Sequence, residues 1–317
     1  MDYRTDFFDT YLNSSTADKI LNLFRLRKKI VSVIELSNPD VLHFHVTHNF
    51  SWWRSLLLIR IALSRKIPCV ISIHSGKFDK FCKQYFSIPG KIFATLSKKT
   101  LVQFVVLEDR WIRSLSDFAN GLVCIRNPVE IGDSSRRESK RGNCIKLLLI
   151  ARSDKIKGHF FAVEVLRHVR KLGFEAELEM TGVKAGFYVP SDLKITTHEW
   201  LDDQEDVRKK IEIADFVLSP SEYEGSSMSV LEAMALGTIP IVSEVSSETV
   251  SVEELVVDGL NPEDWANAII KIMSKKQKKE MTNKINLVIK RHDINEISRQ
   301  WGERYDIFLE SISDDCD

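Results

Sequence analysis

The chain predicts an α/β fold of two domains, each a parallel sheet covered on both faces by helices. Three observations carry this. Short apolar runs with strand character alternate with helical stretches along the whole chain. A charged, aperiodic segment at residues 132–143 interrupts the alternation near the middle and reads as a linker. The 317 residues suffice for two domains of ordinary size. The predicted organisation is a first domain over residues 1–135, a linker at 136–143, a second domain over 144–292 and a terminal helix at 293–312.

In the first domain a helical pattern over residues 17–36 runs into Asn38-Pro39-Asp40, which stops it before a strand at 41–46. Residues 52–63 form a strongly apolar helix, followed by a strand at 69–73. Helical segments around 80–84 and 90–97 precede a strand at 102–106, and a helix at 110–118 leads to a strand at 121–125. The second domain predicts a strand at 145–150, a helix at 159–172, strands at 175–181 and 194–197, a helix at 204–213 and a strand at 215–218. After a polar turn come a helix at 228–236, a strand at 238–242 and a helix at 262–275. The last helix, 294–310, carries Trp301, Tyr305 and Phe308 at helical spacing.

Hydrophobic residues make up 44% of the chain and charged residues 28%, the balance of a soluble globular protein. No apolar run approaches the ~18 residues of a membrane span, and the opening Met-Asp-Tyr-Arg-Thr-Asp has no signal-peptide character. Five scattered cysteines without CxxC spacing point to a reducing compartment rather than to disulfides or structural zinc. Net charge is zero, yet residues 1–135 hold 19 Lys+Arg against 12 Asp+Glu, so a basic domain precedes an acidic one. A basic half suggests an anionic surface or substrate. The lysines and aromatics of residues 77–99 (Phe78, Lys80, Phe81, Lys83, Tyr85, Phe86, Lys91, Phe93, Lys98, Lys99) are either a contact for anionic lipid or helix faces clothed by lysine stems.

Chemistry concentrates in residues 219–237, Ser-Pro-Ser-Glu-Tyr-Glu-Gly-Ser-Ser-Met-Ser-Val-Leu-Glu-Ala-Met-Ala-Leu-Gly. A buried strand ends at Ser-Pro-Ser, Gly225, Ser226 and Ser227 form a turn, and a helix begins at Met228 and stops at Gly237. Such a helix start turns free backbone N–H groups and a positive dipole end toward the carboxyl edge of a parallel sheet, which suits a phosphate. Glu224, before the turn, can accept hydrogen bonds from a polyol. Glu232, about one and a half turns into the helix, can take both hydroxyls of a ribose. Diphosphate, sugar and ribose together describe a nucleotide sugar. The competing reading is an ordinary buried helix with incidental acids.

The Glu, seven residues, Glu spacing, flanked by Ser-Pro-Ser and by Glu-Ala-Met-Ala-x-Gly-x-x-Pro-Ile-Val, resembles the donor motif of retaining glycosyltransferases with the GT-B fold, glycosyltransferase family 4 (group 1). The resemblance implies two Rossmann-like domains facing a cleft. It implies donor contacts from Glu224, Gly225, Ser226, Ser227, Met228, Ser229 and Glu232. Residues 151–158, Ala-Arg-Ser-Asp-Lys-Ile-Lys-Gly, are similar to the family's Gly-Arg-x-x-x-x-Lys-Gly, with Ala151 for Gly. Arg152 and Lys157 match its two diphosphate-binding cations; outside that context they would be surface charges. Fixed cations stabilise the charge left when an anomeric C–O bond breaks and can replace a metal. Thr181-Gly182 ends a strand, and the family contacts the nucleobase where His198-Glu199-Trp200-Leu201 stands. Trp200 and Leu201 are therefore base-pocket candidates, with core packing the alternative for Trp200. Ser246 and Ser247 occupy the place of a common Gly-Gly turn.

In the first domain His43, His45 and His48 gather at a strand end, with His43 and His45 on one face. No carboxylate or cysteine lies at ligand spacing, and no metal or other cofactor is expected. Ile73-His74-Ser75-Gly76 resembles the family's strand-end His-Gly with Ser75 inserted. His74 is thus either a polar contact to the sugar or a satisfied structural histidine. Arg126-Asn127-Pro128 reads as a domain-end turn, and the terminal helix is implied to pack back on the first domain. The family opens with a strand and a Gly-rich loop that this sequence lacks before Gly76, so the first domain reads as trimmed at its N-terminus.

The resemblance implies a metal-independent retaining glycosyltransferase with Glu224, His74, Arg152 and Lys157 as catalytic residues. Its substrates are a nucleotide-diphosphate sugar and a saccharide or lipid-linked saccharide acceptor; the basic aromatic stretch suggests the lipid-linked form, in bacterial surface polysaccharide (O-antigen, capsule or lipopolysaccharide) assembly. The expected location is cytoplasmic and peripheral on the inner membrane face, with no nucleic-acid partner. No carboxylate pair is placed for double displacement. The alternatives are a donor-binding but inactive subunit and a nucleotide-sugar epimerase of the same fold; no GxGxxG supports a dinucleotide enzyme.

Overall fold

A computed structural model describes residues 4–8, 16–84, 88–132 and 144–314. The linker expected at 136–143, Tyr85, Phe86 and Cys316 lie outside the described residues. The chain divides into two units, Met1–Arg126 with Ser298–Asp317, and Asn127–Ile297.

The first unit runs α1 (Thr16–Ser37), β1 (Leu42–Val46), α2 (Phe50–Ser64), β2 (Cys69–Ile73), α3 (Phe78–Lys83), α4 (Ile88–Leu96), β3 (Val102–Val106), α5 (Asp109–Leu115) and β4 (Val123–Cys124). Its four strands pair in parallel and in chain order, β1-β2-β3-β4. Every residue of β2 is buried, as a strand with neighbours on both sides and helices on both faces requires. Leu26, Ile30 and Ile34, four residues apart, make one stripe of α1 that packs on Leu58 of α2.

The core of this unit is aromatic. Trp52 meets Phe78 at 5.2 Å, Phe78 meets Phe93 at 5.5 Å, and Phe93 meets Phe104 at 4.6 Å between centroids, all edge-on. Residues 77–99 divide between this core and the surface. Phe78, Phe81 and Phe93 are core residues, whereas Lys80, Lys83, Lys91, Lys98 and Lys99 face outward. The helical period explains it: Phe78, Phe81 and Cys82 share the inner face of α3, and Lys80 and Lys83 take the outer one. No helix among the described residues is long and apolar enough to cross a membrane.

The second unit runs β5 (Ile145–Ile150), α6 (His159–Lys171), β6 (Ala176–Thr181), β7 (Ile195–Thr197), α7 (Gln204–Ile213), β8 (Phe216–Ser219), α8 (Met228–Ala235), β9 (Ile239–Ser243), α9 (Ser247–Val250), β10 (Val256–Val257), α10 (Pro262–Ile272) and α11 (Lys275–Ile289). All six strands are parallel, in the order β10-β9-β8-β5-β6-β7. The centre is the β5–β8 pair, Leu147 opposite Phe216 and Leu148 opposite Val217. From β5 the chain builds outward through β6 and β7, then returns and builds the other way through β8, β9 and β10. The single helix expected at 262–275 is two helices. The first ends at Ile272, and the Ser274 side chain accepts a hydrogen bond from Gln277 N at 3.2 Å to start the second.

The last helix, α12 (Ile294–Asp314), starts in the second unit and from Ser298 belongs to the first. There Tyr305 Oη lies 2.7 Å from His43 Nδ1, and Arg304 Nη2 donates to Gln103 Oε1 at 2.5 Å.

Candidate functional site

Two loops leave the carboxyl ends of β5 and β8, neighbours in the sheet whose following helices lead to opposite halves of it. At such a switch point the connections diverge and leave a crevice, the usual ligand position in an open α/β sheet. The loop after β5 carries Arg152 and Lys157; the loop after β8 carries Glu224. Glu222 N donates to Ile156 O at 3.0 Å, so the backbone ties the two loops together. A Cβ on Gly158 would stand 2.7 Å from Pro220 Cγ, which fixes how closely they approach.

Across this crevice Lys157 Nζ donates to Glu224 Oε1 at 2.5 Å, and Ser221 Oγ donates to the same oxygen at 2.8 Å. Both side chains are largely withdrawn from water, 23% and 13% exposed, so the charges meet where screening is weak. Ser221 is itself held from behind, because Ser243 Oγ at the end of β9 donates to its carbonyl at 2.6 Å.

The turn Gly225–Ser227 opens into α8 as the sequence reads it. Ser227 has extended dihedrals at the N-cap, but its side chain makes no capping hydrogen bond; its Oγ lies 3.3 Å from Ser229 Oγ. The first-turn amides are thus not taken up by the cap side chain. Ser226 Oγ is buried without a partner among the described residues. Met228 is 42% exposed at the start of the helix. Glu232, further along α8, is half-buried, and desolvation holds its carboxyl above the ordinary range. It forms no ion pair among the described residues.

Beside the crevice is a pocket of about 390 Å³, lined by Arg152, Gly182, Val183, Lys184, Glu199 and Trp200 among others. Its wall depends on Gly182, at φ +70°, where a Cβ would fall 2.0 Å from Ala151 O. Gly182 N donates to Glu199 O at 3.3 Å and Val183 N to His198 O at 2.9 Å, which ties the ends of β6 and β7 together. His159 Nε2, at the start of α6, sits 3.0 Å from Thr181 O. Trp200 is 52% exposed, which excludes the core-packing alternative. Leu201 turns the other way and packs on the core of Leu148, Val207 and Ile211. Lys184 and Glu199 carry no sequence signature beyond their nearness to Gly182 and Trp200. Ser246 is fully buried in a 3₁₀ turn, its hydroxyl without a partner among the described residues, and Ser247 begins α9.

In the first unit His43 and His45 stack with centroids 4.4 Å apart. His45 Nδ1 is 2.8 Å from His74 Nε2, and His43 Nε2 is 2.7 Å from Ser72 Oγ. His48 instead turns to Ser75 Oγ at 2.7 Å, so the three sequence-adjacent histidines do not converge on one point. Among the described residues no three metal-binding side chains do. Burial, then the neighbouring His45 and His74, lower the pKa of His43 to about 3. Burial and His45 lower that of His74 to about 4, so both rings are neutral near pH 7. The inserted Ser75 has a structural use: its Oγ also accepts from Lys77 N at 3.2 Å.

Residues 145–275 match the family described as glycosyl transferases group 1, and the chain therefore contains such a domain. No curated protein matches the sequence. Among solved structures, the chain is similar to sucrose-phosphate synthase from Thermosynechococcus elongatus, with TM-score 0.75 and 16% identity over 95% of this chain and 81% of that one. A glycosyltransferase from Rickettsia africae ESF-5 gives TM-score 0.65 and 18% identity over 96% and 84%. A UDP-forming α,α-trehalose-phosphate synthase from Burkholderia xenovorans gives 0.69 and 11% over 95% and 80%. At these identities the likeness is one of fold, the α/β GT-B fold with its two parallel sheets.

Proposed function

We propose that the chain is a retaining glycosyltransferase that holds a nucleoside-diphosphate sugar at the carboxyl edge of the second sheet and passes the sugar to a saccharide acceptor. The observation that carries this reading is the Lys157–Glu224 pair in the crevice between β5 and β8, with Arg152 of the same loop in the pocket that holds Trp200. The match of residues 145–275 supports it.

In this reading the anomeric C–O bond to the diphosphate breaks, and its electron pair stays on the phosphate oxygen. Arg152, Lys157 and the amides at the start of α8 stabilise that charge as it develops, so the step needs no metal. Glu224 accepts hydrogen bonds from the sugar hydroxyls, and Glu232 accepts from the ribose. The acceptor oxygen bonds to the anomeric carbon on the face the diphosphate leaves, and its proton goes to the departing phosphate. His74 remains proposed as a polar contact to the sugar, supported by its motif and its neutral ring.

The acceptor is proposed to be lipid-linked, within bacterial surface polysaccharide assembly. Support comes from the outward lysines of α3 and α4 and from the part-exposed Phe50, Trp53 and Ile88, 41%, 40% and 47% exposed. Assaying nucleoside-diphosphate release from individual nucleotide sugars, with saccharide acceptors present, tests the reading. Release that needs an acceptor and conserves anomeric configuration supports it. Tight donor binding without release would mark a non-catalytic subunit, and inversion would overturn the retaining step.

A further inference from the structure

We infer that Glu199 and Lys184 make the pocket beside Arg152 selective for guanine, so that the donor is a guanosine-diphosphate sugar. The inference rests on the donor-site reading above and adds which base the site takes. Its material is a half-exposed tryptophan and two opposite charges lining one pocket. Trp200 offers a flat apolar face, on which any base can stack, so stacking supplies affinity without choosing among bases. Choice requires hydrogen bonds to the base edge.

Glu199 and Lys184 are both exposed, and among the described residues neither is engaged in an ion pair. An ionised carboxylate only accepts hydrogen bonds, through two oxygens, and an ammonium only donates. Guanine presents two adjacent donors, N1–H and the N2 amino group, next to the acceptor O6. A carboxylate takes both donors while an ammonium takes O6. Uracil places its single N–H between two carbonyl oxygens, so a carboxylate there meets an acceptor on either side. Adenine and cytosine each present one amino donor next to a ring-nitrogen acceptor, which leaves half of the carboxylate opposed by a lone pair.

The backbone supports the assignment. The carbonyl of Glu199 accepts from Gly182 N at 3.3 Å, and Gly182 is pinned against Ala151, so the carboxylate stands on a fixed loop end. Arg152 lines the same pocket, so the cation proposed for the diphosphate borders the proposed base site.

The test is calorimetric titration of the full chain with GDP, IDP, UDP, ADP and CDP. GDP is expected to bind at least about tenfold more tightly than UDP, ADP or CDP. IDP, which lacks only the N2 amino group, is expected to lose about tenfold against GDP, because one carboxylate oxygen is left unpaired. Glu199→Gln should erase the gap between GDP and IDP and narrow the gap between GDP and UDP, since its amide can donate to a uracil carbonyl. Should that variant fail to fold, the comparison of GDP with IDP on the unaltered chain still decides. UDP, ADP or CDP binding as tightly as GDP would overturn the guanine assignment; if Arg152→Ala then abolished that binding, the donor site itself would stand. Binding of none of the five would overturn both.

Discussion

Lys157 and Glu224, sixty-seven positions apart in the chain, share a 2.5 Å hydrogen bond because β5 and β8 are neighbours in the sheet. Each offsets the other's charge. Lys157→Ala leaves a partly buried carboxylate short of its cation, and Glu224→Ala frees the lysine. The expected outcome is that each single variant loses at least about a hundredfold in turnover. The double variant should lose much less than the product of the two, a coupling of about 1–3 kcal/mol. Measured kcat/KM for nucleoside-diphosphate release from all four proteins checks this; strictly multiplicative losses would refute a shared role.

Glu232 forms no ion pair among the described residues, and desolvation lifts its pKa. A protonated carboxyl loses acceptor capacity, so nucleoside-diphosphate affinity should weaken as pH falls from neutrality through the raised carboxylate range. Glu232→Gln should bind about tenfold more weakly at pH 7.5 and lose this component of the pH profile. The quantity to compare is the ratio of wild-type to variant Kd at each pH, which cancels the titration of the phosphate. A ratio independent of pH would remove Glu232 from the ribose contact.

Gly182→Ala should be among the costliest small substitutions in the second unit. The new methyl would sit 2.0 Å from Ala151 O in a residue already at φ +70°. A loss above about 2 kcal/mol is expected, with a Tm lower by roughly 5 °C or more. Gly173→Ala provides the control, since Gly173 has φ +89° but nothing within 4 Å of its Cβ position. There only the left-handed backbone is penalised, at about 1 kcal/mol. Equal Tm changes for the two would show that the close approach to Ala151 carries no energy.

The buried histidines make the first unit acid-sensitive. An unfolded histidine takes its proton near pH 6.5, whereas folded His43 and His74 take theirs only near 3 and 4. Between those values the unfolded chain holds more protons, so stability is full above pH 6.5 and falls as pH falls. The slope reaches about 1.4 kcal/mol per pH unit for each ring. Urea unfolding from pH 7 to pH 4, followed by fluorescence, should lose this slope in His43→Asn/His74→Asn. An unchanged slope would place the acid sensitivity elsewhere.

The strands are readable where the sequence is predominantly apolar. Cys69–Ile73 and Val102–Val106 coincide with their predicted limits, since a strand buried along nearly its whole length leaves little ambiguity. Val256–Val257 is too short to leave a pattern, and the break at Ser274 is not legible because helix-forming sequence lies on either side of it. Arg152, Lys157, Glu224 and Glu232 were readable as a motif, but the contact between Lys157 and Glu224 was not. It depends on which strand neighbours β5, and local periodicity carries no information about strand order. That Phe78, Phe81 and Phe93 are buried is not legible from composition, because mixed cations and aromatics look alike on a membrane-facing surface and on two short amphipathic helices. Glu199 and Lys184 are exposed single charges, and only their shared pocket distinguishes them from ordinary solvated residues.

The crevice between β5 and β8 exists because the chain changes direction of growth there, not because any side chain props it open. Stripping it of Arg152, Lys157 or Glu224 would leave the scaffold and its hollow standing. Loop residues and architecture are therefore separable in this unit: loops can be exchanged or stripped over evolutionary time while the six-strand framework of the described residues persists unchanged.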